Sequence, residues 1–191
     1  MNPNFSTNSA EIISEIEKSI KKIDDASFPR LIELILSNKR TFVAGAGRTG
    51  LVMRSFAMRL MHLGFRVYLI GDITTPSIDE NDILMIGSGS GNTSSLVNIS
   101  EKAKEIGVST ILFTIDPSSV MGRLASIKIC IPAPSPKLGN KKDYHSLQPM
   151  GSLFEQSLMI VLDTIICILM ARNEIDSKTM FKNHANLEWK V

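Results

Sequence analysis

Five short apolar runs alternate with stretches of helical periodicity, and this alternation restricts the possible folds more than any other feature. The runs are Thr41-Phe42-Val43-Ala44, Arg66 to Ile70, Ile83-Leu84-Met85-Ile86, Ser109 to Ile115 and Ser126 to Ile131. Between them, Val52, Phe56, Leu60 and Leu63, then Leu96, Ile99, Ala103 and Ile106, recur at helical steps that place them on one face. Gly107 suits the C-terminal cap of the second of these helices, and a short helix is expected near Pro117. Strand and helix in alternation predict a five-stranded parallel sheet covered on both faces, a three-layer α/β/α sandwich. Ligand loops then lie at the strand carboxyl ends. If the strand order is 2-1-3-4-5, the loops after the first and third strands flank the switch point.

The rest of the chain reads as helix and one long loop. After eight polar residues expected to fray, Ile12, Ile13, Ile16, Ile20 and Ile23 predict an amphipathic helix from Ser9 to about Ile23. A second short helix is expected from about Pro29 to Leu36. Residues 132–149 carry Pro132, Pro134, Pro136 and Pro149 with Lys137, Lys141 and Lys142, the pattern of a long irregular loop. Loops of this length are functional or mobile, and the lysines read as solvated. A long helix runs from about Gly151 to Arg172, and a last one from about Asp176 carries Asn183-His184-Ala185-Asn186-Leu187-Glu188. The 191 residues thus read as one domain, with N-terminal helices at about 9–36 and a C-terminal helical tail at about 174–188.

A net charge of +2 makes no electrostatic case for nucleic acid. Cys130 and Cys167 sit in apolar runs without metal or redox spacing, as buried free thiols of a reducing compartment do. The first residues lack the pattern of a secretory signal. The most apolar stretch, Leu158 to Met170, is shorter than a bilayer span and holds Asp163. The expectation is a cytoplasmic protein with no nucleic-acid or membrane partner.

Two loops carry the chemistry. The one after the third run is Gly87-Ser88-Gly89-Ser90-Gly91-Asn92-Thr93. Glycines let backbone approach a ligand without a Cβ in the way, and the helix N-terminus at the end of the loop favours an anion. Ser88, Ser90 and Thr93 add hydroxyls to the same space. Capping a helix needs one hydroxyl; three favour a phosphate cradle over an ordinary capped turn. The loop after the first run, Gly45-Ala46-Gly47-Arg48-Thr49-Gly50, matches G-x-G-x-x-G, and Asp72 stands 22 residues after Gly50. That is the context of a dinucleotide fingerprint, so an NAD(P)-binding Rossmann-type protein is one reading. Little chain is left for a separate substrate-binding region, however, and the second loop suits a phosphate and a polyol.

Among single residues, Glu155 stands one turn into the long helix, where a carboxylate suits the helix dipole. It also comes after the proline-rich loop and precedes an apolar helix, and a half-desolvated carboxylate suits a general base. His62 near a helix end is explained by a charge–dipole contact or by a catalytic role. His184, close to the chain end, is explained by solvent exposure or by the same role. His62, His145 and His184 show no zinc spacing. Arg48 reads as a surface arginine or as a bidentate partner of phosphate.

Residues 45–65, 71–78, 87–95, 149–157 and 183–188 together resemble the sugar isomerase (SIS) domain family, and within it the branch that isomerises hexulose phosphates. The similarity extends over nearly all of residues 40–190 and implies a flavodoxin-like α/β/α sandwich of strand order 2-1-3-4-5. It implies interconversion of D-arabino-hex-3-ulose 6-phosphate and D-fructose 6-phosphate through a 2,3-enediol, with no metal and no other cofactor. It implies a homo-oligomer, a tetramer, with a histidine from an adjacent chain completing the site, which would be His184. Glu155 would be the base, assisted by His62, His184 or Arg48. Substrate would lie against Gly47, Arg48, Thr49, Ser88, Gly89, Ser90, Gly91, Asn92 and Thr93. Asn92 stands where relatives often carry a charge, and Thr49 where many carry Ser; both leave the backbone cradle intact. A non-catalytic phosphosugar-binding regulator on the same domain is the remaining alternative. Such regulators carry a DNA-binding segment, and the first 40 residues show no basic recognition helix.

Overall fold

The computed structural model describes residues 4–138 and 145–187. Its centre is a five-stranded parallel sheet of order β2-β1-β3-β4-β5. The strands are β1 (Thr41–Gly45), β2 (Val67–Leu69), β3 (Ile83–Gly87), β4 (Ser109–Thr114) and β5 (Ile127–Cys130). The helices are α1 (Phe5–Ile20), α2 (Phe28–Ser37), α3 (Gly47–His62), α4 (Ser94–Ile106), α5 (Val120–Leu124), α6 (Ser152–Arg172) and α7 (Ser177–Phe181).

Alternate strand residues face opposite layers. Val43, Met85, Phe113 and Ile129 join Leu31, Phe56, Leu60, Leu158 and Leu162 in a core under α2, α3 and α6. Phe42, Leu84, Ile86 and Leu112 join Leu96, Ala103 and Met121 in a second core under α4 and α5. Each such large side chain, fully withdrawn from water, contributes about 1.5–3 kcal/mol. The layers and strand order are those expected from the alternation of runs.

Two local features aim both glycine loops at one place. β1 and β3 pair in register from Thr41↔Ile83 to Gly45↔Gly87, so both strands end at the same level. At that end α3 lies tight on β1: a Cβ on Gly50 would stand 2.7 Å from the Gly45 carbonyl oxygen. Any side chain at position 50 would lift α3, and its first turn, away from the sheet.

The structure corrects several boundaries. α1 starts at Phe5, because Asn4 Oδ1 accepts the Thr7 N–H at 3.0 Å and caps it; the polar residues after Asn4 are helical. α1 ends at Ile20, and Ile23 lies in the turn beyond. α5 starts at Val120 and not near Pro117, since Ser119 Oγ accepts the Gly122 N–H. α7 stops at Phe181, so Asn183 and His184 sit in a turn after the helix. Cys167 is exposed rather than buried, and Cys130 is half-buried. At 21 residues α6 is long and apolar enough to cross a membrane, contrary to the shorter span read from the sequence. It packs as a core helix, with Leu153, Phe154, Leu158, Leu162, Ile165 and Leu169 buried. Lys141, Lys142 and Glu188 lie outside the described residues.

Candidate active site

A cleft of about 610 Å³ opens at the carboxyl ends of β1 and β3, within the size range of small-ligand sites. One wall is the β3–α4 loop, with Ser88, Gly89, Ser90 and Thr93. Facing it are Gly47, Arg48 and Thr49 from the first turn of α3. The third side is the start of α6, with Ser152 and Glu155.

The loop hydroxyls are not spent on capping. Thr93 holds the N-cap position of α4, yet its side chain makes no capping bond. Leu96 and Val97 donate instead to the Thr93 carbonyl, at 2.9 Å each. Ser90 Oγ accepts the Asn92 N–H at 3.3 Å, which curls the loop and leaves the hydroxyl proton to be donated. Ser88, Ser90 and Thr93 therefore present donors beside a helix N-terminus, the arrangement an anion requires.

Gly91 and Asn92, both expected against substrate, are not among the residues that line this wall. The Asn92 amide faces away from the cleft: Oδ1 accepts the Val120 N–H at 3.0 Å, and Nδ2 donates to the Ser90 carbonyl at 3.0 Å. The Gly91 carbonyl accepts the Met121 N–H at 3.1 Å. Both residues lash the loop to the N-terminus of α5. A neutral amide suits this task, since it both donates and accepts.

Glu155 is largely covered, with 15% of its side chain exposed. Its Oε2 lies 3.4 Å from Arg48 Nη1, and its Oε1 is 3.5 Å from Thr49 Oγ1. Arg48 Nη1 also donates to Ser152 Oγ at 2.7 Å, so the guanidinium bridges the α3 and α6 walls. Ser152 was not singled out by sequence reasoning, although it lies within the family-like segment 149–157. Lys137 was read as solvated loop; it is exposed, but it stands on the cleft rim in a single turn of 3₁₀ helix, Pro136–Leu138. Asp72, the acidic residue of the dinucleotide reading, pairs with Arg54 at 3.1 Å, with both side chains half-exposed.

Neither histidine lines this cleft. His62 lies fourteen residues beyond Arg48 on α3, a separation of about 21 Å along the helix axis. His184 stacks on it with ring centroids 5.3 Å apart, and Asn183 Nδ2 donates to the His62 carbonyl at 2.9 Å. The pair lines a separate hollow of about 340 Å³ together with Arg59 and Phe181. Burial holds the His62 imidazole below its ordinary pKa, and the charges of Arg59 and His184 act in the same sense.

The sheet order, the hydroxyl-lined loop and the carboxylate facing it define a phosphosugar-type α/β site, and a model of the SIS domain family matches residues 34–165. The chain belongs to that family. It is 46% identical over 179 residues to the 3-hexulose-6-phosphate isomerase of Bacillus subtilis (strain 168), a match covering 94% of this chain and 96% of that one. It is 40% identical over 186 residues to the protein of the same name from Mycobacterium gastri, covering 95% and 91%. A solved structure from Methanococcus jannaschii, for which a molecular function of 3-hexulose-6-phosphate isomerase is inferred, superposes with a TM-score of 0.82 at 33% identity. That match covers 95% of this chain and 99% of the other.

Proposed function

We propose that this chain interconverts D-arabino-hex-3-ulose 6-phosphate and D-fructose 6-phosphate through a 2,3-enediol, with Glu155 as the base. The observation that carries the reading is a largely covered carboxylate set across one cleft from three donor hydroxyls at a helix N-terminus. The phosphate belongs on Ser88, Ser90 and Thr93, with backbone N–H groups of the same loop. The carbon chain then extends toward α6. Moving the carbonyl from C3 to C2 takes a proton from C2 and returns one to C3. Glu155 can carry out both transfers from one face, and Arg48 beside it can polarise the carbonyl oxygen. The relatives of this name, aligned over nearly the whole chain, support the same substrate class over a nicotinamide reaction. Incubating the purified protein with hex-3-ulose 6-phosphate and detecting fructose 6-phosphate tests the proposal; no product would overturn it.

Ser90→Ala or Thr93→Ala should each weaken substrate binding by about 1–2 kcal/mol, the scale of a hydrogen bond to a charged group. Titration of each variant with fructose 6-phosphate checks this. Unchanged affinity in both would remove the phosphate from this loop.

We further infer a cytoplasmic homo-oligomer, a tetramer, in which His184 reaches the cleft of another subunit. Within one chain His62 is about 21 Å of helix from Arg48, the residue beside Glu155, too far to share a substrate. Leu51, Met58 and Met61 on α3, with Met159 and Ile160 on α6, leave large apolar side chains exposed, the kind of surface another subunit covers. Mixing inactive Glu155→Gln and His184→Asn subunits should restore activity, because some mixed sites then contain both native groups. A monomer in solution, or full activity in His184→Asn, would overturn the inference.

A further inference from the structure

α1 lies outside residues 34–165, the part of the chain that carries the family match, yet it grips a wall of the cleft. Glu15 sits on its inner face. Its Oε2 accepts from Ser146 Oγ at 2.6 Å and from Gln148 Nε2 at 3.0 Å, and its Oε1 accepts the Leu147 N–H at 2.7 Å. Ser146 Oγ in turn accepts the Gln148 N–H at 3.0 Å, closing a small ring around the carboxylate. One turn further along α1, Ser19 Oγ donates to the Pro132 carbonyl at 2.6 Å. One helix thus clasps both ends of the connection between β5 and α6.

The clasped segment leads straight into the site. Pro149, Met150 and Gly151 line the cleft directly after Gln148. Met150 holds a left-handed φ of 55° while it stands 80% exposed. A residue with a Cβ adopts this conformation only where its surroundings impose it. The turn closes with the Ser152 N–H donating to the Pro149 carbonyl at 3.1 Å, and the Glu155 N–H donating to the Gly151 carbonyl at 3.0 Å. The clasp, the strained turn and the first turn of α6 therefore form one continuous run from Ser146 to the base, Glu155.

We propose that Glu15 is a positioning residue for the active site, fixing residues 146–151 and through them the placement of Ser152 and Glu155. Its carboxylate is suited to this because an ionised group accepts several hydrogen bonds at once, each stronger than its neutral counterpart. Burial works against the charge, but the bonds from Ser146, Leu147 and Gln148, with Lys18 nearby, hold the group below its ordinary pKa. The proposal rests on the isomerase reading for its kinetic consequence, and on the geometry alone for its local one.

The test uses the full chain with Glu15→Ala, Glu15→Gln and, as a control on the same helix, Glu17→Ala, which loses only an exposed pair with Lys21. Amide hydrogen exchange should rise about tenfold or more across residues 146–152 in Glu15→Ala and stay unchanged in the sheet, as a local opening does. Turnover of hex-3-ulose 6-phosphate should fall about 10- to 100-fold, the scale of a small misplacement of a reacting group. KM should stay within about twofold, because the phosphate loop is untouched. Glu15→Gln, which keeps an oxygen for the Leu147 N–H, should recover part of both losses, and Glu17→Ala should match the wild type. Unchanged exchange at 146–152 in Glu15→Ala would overturn the proposal, as would a rise in KM with turnover preserved. If Glu15→Ala unfolds globally, Glu15→Gln decides by the same two readings. A wild-type protein with no isomerase activity overturns the proposed function; the exchange comparison then decides the clasp by itself.

Discussion

Glu155→Gln should abolish turnover while leaving phosphosugar binding in place. The substitution keeps the side-chain volume and the contact with Arg48, and removes the basic oxygen pair. General acid–base catalysis by a positioned group contributes about 10²–10⁴-fold, and the same carboxylate is asked to act twice, at C2 and at C3. A loss of about three to four orders of magnitude in turnover is therefore expected, with affinity for fructose 6-phosphate changed by about threefold at most, since the proposed phosphate contacts at Ser88, Ser90 and Thr93 are untouched. In deuterated water the native enzyme should wash hydrogen out of the substrate at the reacting carbon, and the variant should not. Near-normal turnover in Glu155→Gln would remove Glu155 from the chemistry. Loss of binding together with turnover would make it a substrate-holding residue instead of a base. Arg48→Lys separates the neighbouring role: the ammonium keeps the charge but cannot span both Ser152 and Glu155.

Gly91→Ala should be the most damaging single methyl group in the site loop. Gly91 has a φ of +62°, and an added Cβ would stand 1.9 Å from Ser119 Oγ and 2.5 Å from Ser119 Cβ. Ser119 cannot step aside without cost, because its Oγ caps α5 through the Gly122 N–H. A left-handed residue with a Cβ costs about 1–2 kcal/mol, and forced overpacking about 1–3 kcal/mol more. A total of about 2–5 kcal/mol is a large share of a typical domain stability of about 5–15 kcal/mol. Thermal unfolding should shift down by about 4–20 °C for a chain of this length. Substrate affinity should fall as well, since the loop must leave α5 to admit the methyl group. Gly47→Ala gives the contrast: its φ is +56° but nothing lies within 4 Å of the new Cβ, so only the backbone cost applies. A Gly91→Ala protein with native melting and native affinity would mean that the loop is not lashed to α5 in the way described.

Much of the architecture is carried by local pattern. The buried strands and the alternating helices arise from side-chain periods of two and 3.6 residues, which are properties of neighbouring residues. That is why the strand order and the layers match expectation while the ends of α1, α5 and α7 do not. The starts of α1 and α5 depend on single caps at Asn4 and Ser119, which the apolar pattern does not report, and α7 begins after Asp176 as expected but stops at Phe181. The hydroxyl-rich loop at the end of β3 was legible for the same reason: its glycines and hydroxyls stand in seven consecutive residues.

Periodicity and local motifs alone place two glycine loops at the switch point of a parallel α/β sheet, and a carboxylate one turn into the last long helix. Which of the loop residues face the cleft follows from how the elements pack. Within one loop, Ser88 and Thr93 turn toward the cleft, while the Asn92 side chain turns toward α5. Only the fold places Arg48 and Thr49 beside Glu155 and Ser152, more than a hundred residues later in the chain. It also stacks His62 on His184, away from Glu155, and sets Glu15 against Ser146 to Gln148. The physical reason is common to all of these. Spacing encodes which side chains share a face of one element, but a hydrogen bond between two elements depends on how each is seated on the sheet. That seating is settled by core packing and close backbone approach, here at Gly45 and Gly50, and not by the polar residues that the packing brings together.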